Sequence, residues 1–254
     1  MENLRYEAPQ SLKDATALLA SETGEVRILA GGTDIIVQMH SDLIEPDLLI
    51  DIKNIPELTE VKKDGNGYRF GAAVSGKELM LNEEFNKQWP GVMDGVRLIG
   101  SLQIRGRASV GGNLCNAAPS GDCIPPLIAL GAVASVAGPN GNREIPAEEF
   151  CTGPGQNALE AGEILVSIHL PPPQKLAGAH YLRFIPRNEM DIAVAGVGTS
   201  VVLDESGERF VSARIALASV APTPLLVQGV EEAAAGQPVS YTHLRAHETE
   251  AELV

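Results

Sequence analysis

The sequence predicts an α+β fold made of short strands and short helices. Apolar runs with the alternation of strands recur between turns that are rich in glycine, as at residues 164–170. Serines precede amphipathic stretches, as Ser11 precedes residues 12–19, which is typical of helix starts. Hydrophobic residues make up 44% of the chain and aromatic residues only 4%, so we expect a core of small aliphatic side chains.

The N-terminal part alternates helices with strands. Helix 12–19 is followed by Gly24 and a strand at 26–30, and residues 35–39 predict a short helix. Residues 48–52 are a run typical of a buried strand. Residues 64–67, Asp-Gly-Asn-Gly, predict a hairpin turn into a strand at 68–74, and Ser75 is expected to cap the next helix.

The rest of the chain predicts one more helix and a second group of strands. Helix 124–130 begins with prolines, at positions where a missing N–H group costs little. Strands are predicted at 132–137 and 164–170. The three prolines at 171–173 form the clearest linker, and strands at 193–203 and 214–219 follow in a smaller C-terminal subdomain.

Charge and composition exclude several function classes. The net charge is −14, from 19 basic and 33 acidic side chains, which argues against nucleic acid or an anionic membrane as a partner. No apolar run approaches the roughly 20 residues that span a bilayer. The N-terminus has no signal-peptide pattern, so we expect a cytoplasmic protein.

The side chains that usually bind metals form no pattern. Cys115, Cys123 and Cys151 lack CxxC spacing, which disfavours disulfides, zinc and a four-thiolate iron–sulfur site. We therefore expect buried, inert thiols. The histidines are scattered, so no metal site is predicted, and no catalytic triad can be told from chance.

Two glycine pairs are the most informative motifs. They lie in Ala30-Gly31-Gly32-Thr33-Asp34 and in Ser109-Val110-Gly111-Gly112-Asn113. Glycine reaches positive φ and carries no Cβ, so successive N–H groups can approach a phosphate closely. Two such nests suit a diphosphate. Each pair also fits an ordinary tight turn between strands, and the glycines alone leave both readings open.

A third glycine motif, Gly196-Val197-Gly198, has a different context. A dinucleotide-binding fingerprint needs a strand, GxGxxG and a helix in that order. Here the third glycine is missing and an apolar, strand-like run continues. We predict no dinucleotide role for this segment.

Taken with their flanks at 26–35 and 104–122, the glycine pairs resemble those of the FAD-binding subunits of molybdenum hydroxylases, the family of xanthine dehydrogenase and aerobic carbon monoxide dehydrogenase. The likeness runs from about Tyr6 to about Val227. It implies a two-part FAD-binding domain over 1–173, of the vanillyl-alcohol-oxidase-like type, with a subdomain boundary near 56–60. A smaller α+β subdomain over 174–254 is expected to form a lid on the flavin.

The resemblance also assigns contacts to FAD. The stretch that wraps the pyrophosphate corresponds to Ile28, Leu29, Ala30, Gly31, Gly32, Thr33, Asp34 and Ile35, and the second stretch to Ser109, Gly111, Gly112 and Asn113. Asp122 is expected to hold a hydroxyl of the sugar or ribityl chain. Leu165 and Tyr181 are expected beside the isoalloxazine, and Arg183 is expected to stabilise negative charge on the reduced flavin. Ordinary packing is the alternative for Leu165, Tyr181 and Arg183.

The function that the resemblance implies is electron transfer within a complex. Electrons are expected to leave a substrate on a molybdopterin-binding large subunit, cross a 2Fe-2S small subunit, reach FAD here and pass to NAD, a quinone or oxygen. The alternatives are a stand-alone FAD oxidoreductase, such as an enolpyruvyl-sugar reductase, and a scaffold without flavin.

From about Val239 the sequence departs from the family pattern. This stretch looks like translated adapter or vector sequence at a truncated frame, so we expect foreign residues here. The alternative is a divergent helix that Thr242 caps and that runs to Leu253.

Overall fold

The computed structural model describes residues 4–187 and 191–240. Within these ranges the chain forms four β-sheets and eleven short helices, which confirms the predicted α+β fold. None of the helices in these ranges has the length and apolar character needed to cross a bilayer. The stretch predicted to be foreign lies, apart from Val239 and Ser240, outside the described residues. Val239 itself donates its N–H to the Glu208 carbonyl at 2.7 Å.

The first unit is a small parallel sheet with two connecting helices. Its strands are β1 (Arg5–Glu7), β2 (Val26–Leu29) and β3 (Leu48–Asp51), in the order β1-β3-β2, and its helices are α1 (Leu12–Ser21) and α2 (Ile35–His40). Ser11 caps α1 as predicted, its Oγ accepting the Asp14 N–H at 3.1 Å. Because parallel strands end at the same edge of a sheet, residues following β2 and β3 lie close together there.

The second unit is an antiparallel sheet covered by helices. Its elements are α3 (Pro56–Thr59), β4 (Val61–Asp64), β5 (Gly67–Gly71), α4 (Gly76–Leu81), α5 (Glu83–Gln88), α6 (Pro90–Leu98), α7 (Leu102–Arg105), α8 (Val110–Asn116), α9 (Ile124–Ala129), β6 (Val133–Gly138), β7 (Gly141–Pro146), α10 (Ala147–Phe150), β8 (Cys151–Gly153), β9 (Gln156–Asn157) and β10 (Ile164–Leu170). Five strands pair in the order β4-β5-β10-β6-β7, and β8 and β9 form a separate ribbon. Phe70, Leu114 and Ile168 are among the residues of the main core.

Strand β5 is shorter than predicted. It ends at Gly71 instead of residue 74, because the chain turns there to pass α3. A Cβ at Gly71 would lie 2.2 Å from the Leu58 backbone, so only glycine allows this crossing. Ser75 forms the predicted cap, as a capping box with Glu78.

The third unit is an antiparallel sheet that packs on the second. It contains β11 (Ala177–Phe184), β12 (Ala195–Leu203), β13 (Phe210–Ala218), β14 (Leu225–Leu226) and the helix α11 (Val230–Ala234). Strand β13 begins four residues before the predicted 214 because its pairing with β12 continues to Phe210 through an irregularity in register. Asp94 of α6 accepts the Tyr181 N–H at 3.2 Å and pairs with His180, which joins β11 to the second unit.

The Gly196-Val197-Gly198 motif lies inside β12, in a strand and not in a phosphate loop, as predicted. Both glycines make room for neighbours. A Cβ at Gly196 would lie 2.4 Å from the Tyr181 hydroxyl, and one at Gly198 would lie 2.6 Å from the Pro125 backbone in α9. Gly198 therefore allows the third sheet to pack closely on α9, whereas Gly196 makes room for Tyr181 of the neighbouring strand in the same sheet.

Gly198→Ala should destabilise the protein by about 1–3 kcal/mol, because the new methyl group meets backbone that cannot move aside. Gly178→Ala is the matched control, since a Cβ at Gly178 in β11 has no atom within 4 Å. Urea unfolding of both variants measures the difference. Equal midpoints for the two variants would contradict this account of the sheet packing.

Candidate functional site

A cleft of about 520 Å³ lies between the first and second units, beyond the end of β2. Its volume lies within the range typical of small-molecule and cofactor sites. It brings together most of the residues predicted to bind a cofactor, namely Ile28, Ala30, Gly31, Gly32, Thr33, Asp34, Ile35, Ser109, Gly111, Gly112, Asn113 and Leu165. The predicted residues Leu29, Asp122, Tyr181 and Arg183 do not line it.

The first glycine pair forms a turn of free backbone donors. The N–H groups of residues 31–35 have no hydrogen-bond partner anywhere in the described parts of the chain. Gly32 has φ +78°, which favours glycine and turns successive N–H groups towards one side. These partly exposed N–H groups line the cleft without a protein acceptor, so they are free to donate to an anion placed there.

The second glycine pair is not a loop. It forms the first turn of α8, where Ser109 Oγ accepts the Gly112 N–H at 3.0 Å. Of the four glycines in the two pairs, Gly32 has a positive φ, and Gly31, Gly111 and Gly112 do not.

At Gly31 and Gly111 the absence of a Cβ serves close packing. A Cβ at Gly31 would lie 2.0 Å from the Arg107 carbonyl oxygen, and one at Gly111 would lie 2.5 Å from that of Ala72. A Cβ at Gly112 would meet only Ser109 Oγ, at 3.0 Å. Gly31 and Gly111 thus allow two backbone segments to contact each other. Gly112 instead leaves the cleft open at this point, because it has no side chain to project into it.

A charged cluster behind the first glycine pair was missed in the sequence. Lys53 Nζ donates to the Ala30 carbonyl at 3.0 Å and to Asp51 Oδ2 at 2.7 Å, and the Tyr6 hydroxyl donates to the same carboxylate at 2.6 Å. Burial alone would raise the pKa of Asp51, but the hydrogen bonds from Lys53 and Tyr6 outweigh it and lower this pKa. The only signal in the sequence was an Asp and a Lys two apart at the end of a buried strand.

A second buried cluster contains Asp122, Tyr181 and Arg183. The Tyr181 hydroxyl donates to Asp122 Oδ1 at 2.9 Å, and Arg183 Nη1 donates to Oδ2 at 2.6 Å. Burial raises the pKa of Asp122, and the two donors offset this only in part. The Cys123 N–H donates to Asn113 Oδ1 at 3.3 Å, which links the cluster to the cleft wall.

This cluster keeps one free donor. Arg183 Nε is buried and has no partner among the described residues. Buried polar groups are usually hydrogen-bonded, so this unpaired guanidinium nitrogen can donate to a further partner, although Arg183 itself does not line the cleft. The carboxylate has both oxygens engaged by protein donors.

Neither Leu29 nor Cys115 presents a reactive group to the cleft. Leu29 is buried with Met39 and Leu49 in a small core under α2, so its side chain faces away from the cleft. Cys115 lines the cleft, and burial raises the pKa of its thiol to about 12. That thiol is therefore protonated at neutral pH and a poor nucleophile.

Another cleft, of about 360 Å³, lies on the polar face of the five-stranded sheet. Its cations are already paired: Lys62 with Glu60, Arg69 with Asp64 and Arg143 with Glu163. It therefore presents no row of unpaired donors, and the larger cleft is the candidate site. Over the described ranges, no three His, Cys, Asp or Glu side chains are grouped to hold a metal ion.

Family comparisons agree over most of the chain. A family model described as the FAD binding domain in molybdopterin dehydrogenase matches residues 2–173. A second, described as the CO dehydrogenase flavoprotein C-terminal domain, matches residues 180–253, a range that includes the stretch from Val239 onwards.

Individual relatives give the same result. The chain is 34% identical over 244 residues to the putative xanthine dehydrogenase FAD-binding subunit of Escherichia coli K12, covering 95% of this chain and 82% of that protein. It is 34% identical over 224 residues to the carbon monoxide dehydrogenase medium chain of Hydrogenophaga pseudoflava, covering 88% and 77%.

Solved structures extend the likeness to the fold. Carbon monoxide dehydrogenase from H. pseudoflava superposes with a TM-score of 0.89 at 31% identity, over 96% of this chain and 84% of that one. Quinoline 2-oxidoreductase from Pseudomonas putida 86 superposes with a TM-score of 0.85 at 26% identity, over 94% and 82%.

Arg183→Met should destabilise the protein by about 3 kcal/mol, because it leaves the buried Asp122 carboxylate without its cation. Loss of the Arg183 cation should raise the pKa of Asp122 further, and it should do so only in the folded state. The folded protein then binds more protons than the unfolded chain, so the loss of stability should grow as pH rises above about 4, the ordinary pKa of an aspartate, until the raised pKa of Asp122 in the folded variant is passed.

Urea unfolding of wild type and variant across that pH range measures the effect. The control is the double variant Asp122→Asn, Arg183→Met. It removes the Asp122 carboxylate, so its loss of stability should not depend on pH. A deficit that does not change with pH would show that Asp122 is not the group responsible.

Proposed function

This chain belongs to the FAD-binding subunits of the molybdenum hydroxylases, the family of xanthine and carbon monoxide dehydrogenases, and we propose that it carries electrons from iron–sulfur clusters to an external acceptor. It is a subunit of an FAD-dependent oxidoreductase. The observation that carries the proposal is the row of unpaired N–H groups at residues 31–35, which lies in the same cleft as the second glycine pair.

The cleft fits FAD in three ways. The free N–H groups supply backbone donors for phosphate, and the lining also contains Arg27, whose guanidinium is paired with Glu25. A missing Cβ at Gly112 leaves space that a larger residue would fill. Apolar side chains, including Leu165 and Ile28, line other parts of the cleft and suit the rings of a dinucleotide.

We assign the contacts as follows. Residues 31–34 would bind one phosphate through backbone N–H groups, and Ser109, Gly111, Gly112 and Asn113 would bind the other side of the diphosphate. Leu165 would contact the isoalloxazine. Asp122 would bind a hydroxyl of the sugar or ribityl chain, Tyr181 would lie beside the isoalloxazine, and Arg183 would stabilise negative charge on the reduced flavin. The unpaired Arg183 Nε supports a further acceptor at this cluster. When bound, FAD supplies the redox chemistry by accepting and releasing electrons.

The chain's own residues would bind and orient FAD and shield its ring from water. The backbone donors hold the diphosphate, and the apolar wall excludes water from the ring. Arg183 provides a positive charge. The binding domain would end near residue 173, and the subdomain over 174–254, whose sheet Asp94 joins to α6, would form a lid on the flavin.

The partners belong to the same proposal. The xanthine dehydrogenase and carbon monoxide dehydrogenase relatives are named as an FAD-binding subunit and a medium chain. We propose a molybdopterin-binding large subunit that oxidises the substrate and a 2Fe-2S small subunit between it and this chain. NAD, a quinone or oxygen would receive the electrons. The free cysteines suit a reducing compartment, and we place the complex in the cytoplasm.

Gly112→Ala should lower the affinity for FAD at least tenfold, or about 1.4 kcal/mol, without unfolding the protein. The new methyl group meets only Ser109 Oγ within the protein but narrows the approach of a phosphate to the α8 backbone. Fluorescence titration of the apoprotein with FAD, together with thermal unfolding, separates the two effects.

Gly111→Ala provides the contrast, because its methyl group would press on the Ala72 backbone and should destabilise the fold itself. Gly178→Ala, far from the cleft, should leave FAD affinity unchanged. Wild-type affinity in a folded Gly112→Ala protein would remove α8 from the proposed binding site.

The chain alone should bind FAD and oxidise no organic substrate. Mixed with the large and small subunits, it should lose its oxidised flavin absorbance when the substrate of the large subunit is added. Anaerobic spectrophotometry of each mixture measures this. Flavin reduction by substrate with no partner present would favour a stand-alone oxidoreductase, and a purified chain that binds no flavin would favour a scaffold.

A further inference from the structure

Lys53 contacts the peptide group that begins the first glycine pair. Its ammonium donates to the Ala30 carbonyl at 3.0 Å, although the two residues are 23 positions apart. The same ammonium is held by Asp51 Oδ2 at 2.7 Å, and the Lys53 N–H donates to Asp51 Oδ1 at 3.0 Å. The Lys53 backbone N–H and its ammonium are thus both held by Asp51. The Asp51 side chain is 8% exposed and that of Lys53 is 30% exposed.

We propose that Lys53 is a positioning residue for the diphosphate of FAD, acting through the Ala30–Gly31 peptide and not by touching the phosphate. The inference rests on the proposed function, because it assigns the first glycine pair to that diphosphate. Lys53 is absent from the lining of the cleft, whereas Ala30 and Gly31 are both part of it.

The argument is one of peptide geometry. The carbonyl of Ala30 and the N–H of Gly31 belong to one trans peptide group, in which they point in opposite directions. A cation that holds the carbonyl on one side therefore points the Gly31 N–H to the other side. That N–H has no protein partner and lies at the cleft.

The same contact also strengthens the donor. A hydrogen bond to a carbonyl oxygen polarises its peptide group, and linked hydrogen bonds reinforce one another. Gly31 is therefore a stronger donor to a phosphate oxygen when Lys53 is in place. Asp51 neutralises most of the lysine's charge at a distance, so orientation and polarisation contribute more than a long-range field.

The test compares two variants of one cluster. Lys53→Met removes the bond to Ala30 and keeps the aliphatic stem. Tyr6→Phe removes the other side-chain donor to Asp51, the 2.6 Å bond from the tyrosine hydroxyl, and leaves the contact between Lys53 and Ala30 intact. Both variants weaken the cluster, but only the first alters the peptide that faces the cleft.

FAD affinity of the apoprotein and the phosphorus NMR resonances of bound FAD are measured for each variant. We expect Lys53→Met to weaken FAD binding tenfold or more and to move a phosphorus resonance towards its position in free FAD. Tyr6→Phe should change affinity less than twofold. Lys53→Arg, which can also donate to Ala30, should recover most of the loss.

Two results would overturn the inference. One is a folded Lys53→Met protein that binds FAD within twofold of wild type with unchanged phosphorus resonances. The other is an equal loss in Tyr6→Phe, which would make the cluster merely structural. Wild-type protein that binds no FAD would instead refute the proposed function, so the two failures are distinguishable.

Discussion

The rest of the structure depends on two places where backbone meets backbone with no side chain between them. Gly31 faces the Arg107 carbonyl, and Gly111 faces Ala72 at the end of β5. At these contacts the turn after β2, the segment before α8 and the end of β5 come within atomic reach of one another. Any Cβ would force them apart, and the cleft that they enclose would widen.

A missing Cβ also brings the third sheet close to the second unit at Gly198, and at Gly196 it makes room inside the third sheet. Gly196 gives space to the Tyr181 ring and Gly198 to the start of α9. Tyr181 then reaches Asp122, and Arg183 completes the buried ion pair. Close packing therefore places the polar cluster beside the wall of the cleft. A buried pair of this kind contributes little net stability but requires a defined arrangement of the two units.

Electrostatics in this protein are local. The chain carries 33 acidic side chains, yet the unpaired donors at residues 31–35 are backbone groups that line the cleft itself. Distant carboxylates are screened over about 8 Å at physiological salt. Lys53 lies behind the donors and is balanced by Asp51, so the site gains oriented dipoles with almost no change in net charge. In the proposed site this arrangement would bind an anion without a cluster of exposed lysines.

The sequence by itself determined the α+β class, the caps at Ser11 and Ser75, most strands and the family, because these depend on local periodicity, on capping and on short motifs. It also located most residues of the cleft. It could not show that Gly31 and Gly111 serve packing, since their partners lie far along the chain. For the same reason it missed Lys53, and it did not show that Asp122, Tyr181 and Arg183 contact one another. Contacts between distant residues are decided by the packing of sheets and helices, so only the tertiary structure decided which glycines bind and which make room.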